Sequence, residues 1–78
     1  MEEIKKVITE MIEELQPYEE FDETTDLLGE DVLDSVSVLV LVQELEEEFS
    51  VTIQADEITA ENFESVLSIA ELIAAKQI

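Results

Sequence analysis

Ile4, Val7, Ile8, Met11, Ile12 and Leu15 recur near the start of the chain at spacings of three and one. That rhythm places them on one face of an α-helix. Proline disfavours helical backbone in the residue before it, so Pro17 ends the helix and the predicted span is residues 2–16. From Pro17 to about Asp34 the periodicity disappears, and the segment holds the chain's single glycine. It reads as a long loop pinned to a core by Phe21, Leu27, Leu28 and Leu33. Loops of this length are uncommon in small domains and are often functional.

Asp34 or Ser35, both good capping residues, opens a second helix. Val38, Leu41, Val42, Leu45 and Phe49 form its inward set, and Glu44, Glu46, Glu47 and Glu48 its solvent side. The alternation of Val36, Val38, Val40 and Val42 would suit a strand. Continuity with Gln43-Glu-Leu-Glu-Glu-Glu-Phe49 favours a helix instead. Ser50-Val-Thr-Ile53 reads as an extended connector. Thr59 caps a single helical turn through Phe63, and Ser65 caps a last helix whose stripe is Val66, Ile69, Ala70, Leu72 and Ile73. The expectation is an all-α fold: a small bundle of three main helices plus one short helix, with a long loop between helices one and two. Residues 1–78 are expected to form a single domain.

Composition narrows what such a bundle can do. Twenty-two acidic residues face three lysines, for a formal net charge of −19. That surface repels nucleic-acid phosphates and anionic membranes, and attracts basic patches on protein partners. With 46% apolar residues at regular spacing, the chain is expected to fold rather than stay disordered. The acidic, amphipathic opening is unlike a signal peptide, and no apolar run reaches membrane-spanning length. A cytoplasmic monomer without membrane insertion is expected.

There is no cysteine, histidine or tryptophan. Disulfides, thiolate metal sites and imidazole base catalysis are therefore excluded. A paired-carboxylate glycosidase would need a cleft that so short a helical chain can scarcely build. No catalytic residue is assigned, and the protein is not expected to be an enzyme. The acidic loop invites comparison with a calcium-binding EF-hand, which needs glycine at loop position six and glutamate at twelve. Counting from Asp22 puts Leu27 and Leu33 there, so no metal site is assigned.

The informative triplet is Asp34-Ser35-Val36, at the junction of the acidic loop and the second helix. A serine hydroxyl at a helix start is accessible, and the adjacent N–H groups favour a phosphate. From these residues alone, a plain cap is the commoner role. The surroundings carry more. Leu33-Asp34-Ser35-Val36 is followed by Leu45-Glu-Glu-Glu-Phe49, and later by Ile58-Thr-Ala-Glu-Asn-Phe-Glu-Ser-Val-Leu-Ser-Ile-Ala70. In order, length and acidity the whole chain resembles the acyl carrier protein family.

That resemblance implies that a phosphopantetheinyl transferase moves a 4′-phosphopantetheine arm from coenzyme A onto Ser35. Asp34 and Val36 would help the transferase recognise the site. The arm's thiol would carry acyl or aminoacyl cargo as a thioester and present it to loading and biosynthetic enzymes. Departures from the family pattern bear on the pathway. Val36 replaces a commoner leucine, Val40 a docking glutamate, Gln43 an apolar residue, and Ser50 the glycine usual after this helix. The implied docking face is Val36, Val40, Gln43, Glu44 and Glu47, which starts apolar and becomes acidic. It suits partner patches of basic or mixed apolar character. It points away from ordinary fatty-acid synthesis toward a dedicated polyketide, nonribosomal-peptide or D-alanyl pathway. Two blander alternatives stand beside it: Val36 and Val40 buried on a rotated helix, and the glutamates as a solvated face only. The alternative function is an unmodified acidic helical interaction module.

Overall fold

The computed structural model describes residues 1–77. Helix α1 spans Glu2–Leu15, α2 spans Ser35–Phe49, α3 spans Ala60–Phe63 and α4 spans Val66–Lys76, with a 3-10 turn at Ala55–Glu57 before α3. The described residues are helical or irregular, as the apolar periodicity predicts. Each main helix contributes one buried face. Ile8, Met11 and Ile12 come from α1, Val38, Leu41, Val42 and Leu45 from α2, and Val66, Ile69, Ala70 and Ile73 from α4. These meet in one core with α1 packed between α2 and α4, and α3 leaning on α4. Burying such side chains contributes about 1.5–3 kcal/mol each against the entropy of ordering the chain. Among the described residues no helix is long and apolar enough to cross a membrane.

The boundaries follow local chemistry. Helix α1 stops one residue short of the predicted end, with Gln16 as its C-cap just before Pro17. Asp34 caps α2, Thr59 caps α3 and Ser65 caps α4, each side chain accepting an N–H from the first turn. Each such bond satisfies a donor that the helix itself leaves unpaired.

The loop between α1 and α2 is irregular yet tightly held. Leu27 and Leu33 are fully buried, Phe21 and Leu28 pack at the margin of the core, and Val32 is buried with them. Val32 belongs to no apolar rhythm, so the sequence pattern does not single it out. The Leu27 N–H donates to the Glu64 carbonyl (2.7 Å) and the Leu67 N–H to the Glu23 carbonyl (3.1 Å), tying the loop to the start of α4. The Asp22-Glu-Thr-Thr string that invites a calcium reading has a local task. Asp22 Oδ1 accepts from the Thr24 N–H and from the Thr24 and Thr25 hydroxyls at 3.0–3.1 Å. These bonds favour the charged carboxylate and hold its pKa below the ordinary range.

Two glutamates of α2 depart from a purely solvent-facing reading. Glu44 is half-buried. Glu46 Oε2 accepts the Ile53 N–H at 2.9 Å and so anchors the connector after the helix.

Ser50 ends α2 in the left-handed conformation (φ 53°, ψ 46°), and the Val51 N–H closes back on the Glu46 carbonyl at 3.3 Å. A glycine accepts that backbone without the steric penalty that a Cβ incurs. Ser50→Gly is therefore expected to raise stability by about 1 kcal/mol. Urea unfolding should show a higher midpoint at an unchanged slope; an unchanged or lower midpoint would contradict this account of the helix end.

Candidate functional site

The site is built where the loop turns into α2. Asp34 adopts extended backbone (φ −115°, ψ −177°), and its Oδ1 accepts the Ser37 N–H at 2.8 Å. The Asp34 carbonyl accepts the Val38 N–H at 2.9 Å. This cap makes Ser35 the first helical residue and leaves it exposed. Among the described residues no hydrogen bond uses the Ser35 hydroxyl, because Asp34 rather than Ser35 performs the capping. The Ser37 N–H foremost, then its hydroxyl, holds the Asp34 carboxyl below the ordinary carboxylate range.

Two turns of α2 are apolar on both sides. The inner side enters the core; on the outer side Val36 is 70% exposed, Leu39 56% and Val40 37%. The rotated-helix alternative, with Val36 and Val40 buried, is thereby corrected. Val36, Val40, Gln43 and Glu47 follow one another at helical spacing and are all exposed, so the structure brings these four onto one stripe. Glu44 is half-buried beside that stripe, in a polar groove that it shares with Glu47 and with Met11, Glu14 and Glu48. Leu39 is not among the residues that the sequence pattern marks, although it sits three residues from Val36. Its only signal is that the outer positions repeat at three and four just as the inner ones do.

Beside Ser35 lies an apolar cavity of about 300 Å³, walled by Leu28, Val38, Leu39, Ile58, Ala60 and Phe63, with Ser35 and Thr59 at its polar edge. One wall is α2, and the facing one is the segment leading into and forming α3. The long loop supplies Leu28.

The sequence matches a protein family described as "Phosphopantetheine attachment site" over residues 5–73. The chain belongs to that family. No curated protein matches the chain. Members of the family carry a covalently attached 4′-phosphopantetheine group and act as carriers served by a phosphopantetheinyl transferase and by biosynthetic enzymes. The all-helical bundle agrees with a carrier fold. The residues at the start of α2 fit such a group. An exposed serine hydroxyl outside the capping network stands at a helix N-terminus, where unpaired N–H groups favour a phosphodiester.

The charged Asp34 cap carries a pH dependence. Its folded-state pKa is depressed, so its contribution is present above the unfolded value of about 3.9 and is lost as pH falls through the lower folded value. An asparagine in its place would cap without ionising. The stability difference between wild type and Asp34→Asn is expected to stay constant above about pH 4 and to change below it. Urea midpoints across an acid series test this, and a difference independent of pH would contradict it.

Proposed function

We propose that Ser35 carries the arm, and that residues 1–78 act as a single carrier domain presenting apolar acyl thioesters to the enzymes of a dedicated pathway. The observation that carries the reading is the Ser35 hydroxyl, exposed at the first position of α2 and opening beside an apolar cavity of about 300 Å³. In the transfer, the serine oxygen bonds to the phosphorus of coenzyme A that bears the pantetheine. The bond to the adenosine bisphosphate half breaks, and the serine proton passes to the transferase. When attached, the arm supplies a thiol that this cysteine-free chain lacks, and that thiol holds the cargo as a thioester.

The cavity favours one class of cargo. Among the lining side chains, only those of Ser35 and Thr59 are polar, and the rest are aliphatic or aromatic. An acyl chain of fatty or polyketide type buries apolar surface there. The ammonium group of an aminoacyl thioester would lose water there, with no carboxylate among the lining residues to compensate. This favours acyl over D-alanyl or other aminoacyl cargo.

Docking is assigned to Val36, Val40, Gln43, Glu44 and Glu47, with Leu39 joining the apolar end. The complementary partner surface has an apolar centre next to Ser35 and a basic rim facing the glutamates.

Intact mass after incubation with coenzyme A, magnesium and a broad-specificity phosphopantetheinyl transferase tests the assignment. Wild type should gain one phosphopantetheine and Ser35→Ala none. Absence of a gain in folded, initially unmodified protein across several transferases would overturn it, and so would a gain in the alanine variant. Val36→Asp should leave the urea midpoint nearly unchanged, since the side chain is exposed. The same change should slow modification or partner binding by about tenfold. A destabilised variant with unchanged binding would contradict the docking role.

A further inference from the structure

The two walls of the cavity beside Ser35 are held very differently. On one side Val38 and Leu39 sit on a helix of 15 residues. On the other, Ile58, Thr59 and Ala60 belong to a stretch with a 3-10 turn of three residues and a helix of four, each too short to persist alone. Tertiary ties must hold that second wall in place. Phe63 is buried at its far end, and the Ile53 N–H binds Glu46 Oε2 at its near end.

Between those ties stands Glu57, the residue before Ile58. Its carboxylate accepts the Gln54 N–H at 2.8 Å, and its carbonyl accepts Asn62 Nδ2 at 2.9 Å. The same carboxylate meets Lys76 Nζ, on the last residue of α4, at 2.7 Å. Both side chains are largely shielded, at 19% exposure for Lys76 and 30% for Glu57, so salt screens the pair less than one in open solvent. The Lys76 ammonium, foremost, and then the Gln54 N–H hold the Glu57 carboxyl below its ordinary pKa. Lys76 is the only basic residue after Lys6. It lies across from a segment that also carries Asp56, Glu61 and Glu64.

We propose that Lys76 is a positioning residue: through Glu57 it holds the Ile58–Ala60 wall against α2, and so limits how often the cavity opens to solvent and how long an acyl chain it shelters. This rests on the reading that the cavity houses the cargo. Lys76 is not one of the residues that line the cavity, and it acts through the segment it tethers.

The test compares wild type, Lys76→Met and Lys76→Arg as full chains. Methionine keeps an apolar stem without the charge, and arginine restores the charge. Two readouts are needed. The first is amide hydrogen exchange, which requires no arm on Ser35. In Lys76→Met the Ile58 and Phe63 amides should exchange about threefold faster or more, with those of Ile12 and Leu45 unchanged. Lys76→Arg should return them to wild type. The second is cleavage by neutral hydroxylamine of acetyl and octanoyl thioesters loaded from the corresponding acyl-coenzyme A. Octanoyl should be protected relative to acetyl in wild type, and Lys76→Met should lose that protection by a similar factor.

If wild type shows no octanoyl protection, the cargo reading of the cavity falls, while the exchange data still judge the tether. If wild type protects octanoyl and Lys76→Met leaves both readouts unchanged, the proposal is overturned. Faster exchange throughout α1 and α2 would also overturn it, because Lys76 would then support the fold as a whole rather than one wall.

Discussion

The Ser37 N–H donates to Asp34 Oδ1 at 2.8 Å, and with that bond the chain leaves the loop and begins α2. The start of the helix sets the rotational phase of every residue after it. With Ser35 as the first helical residue, Val38, Leu41, Val42 and Leu45 turn inward, while Val36, Leu39 and Val40 remain outside. The serine hydroxyl stays out of the capping network because the aspartate next to it does that work. Ser37, the next hydroxyl along the chain, is half-buried and accepts from Gln16 Nε2 at 3.3 Å. One cap thus separates two serines that the sequence places two residues apart.

A second constraint is charge. A chain with 22 carboxylates and three lysines has few cations with which to brace its structure, and two of them tie irregular segments to helices. Lys5 of α1 reaches Glu23 in the long loop at 2.9 Å as well as Glu2 at 2.8 Å. Lys76 of α4 reaches Glu57 beside α3. The main helices hold themselves through the core, whereas the loop and the α3 segment have less regular hydrogen bonding and more to gain from a tether. The acidic surface that remains repels anions and attracts basic partner patches. That suits a carrier that must meet several enzymes in turn.

The helices were legible because their apolar residues repeat at three and four, and because Asp34, Thr59 and Ser65 each sit where a cap is needed. Ser35 is singled out as the proposed attachment point by its setting, not its chemistry, since a serine at a helix start is ordinarily just a cap. What periodicity could not expose were residues whose role depends on distant parts of the chain. Val32 is buried by the path of the loop. Glu46 looks like its neighbours in a run of glutamates, and only the return of Ile53 distinguishes it. Glu57 and Lys76 meet across 19 positions. Leu39 was hidden by the doubly apolar start of α2, where the inner and outer stripes share the same spacing. The cavity itself is made by Leu28, α2 and α3 together, so no single segment announces it.

In the proposed carrier, the Asp34 cap leaves Ser35, and not Ser37, as the hydroxyl that takes the arm. Fragmentation mass spectrometry of the modified protein, localising the phosphopantetheine between these two serines, tests this most directly. The expected fragments place the whole group on Ser35. Modification on Ser37, or on a serine in another helix, would contradict it.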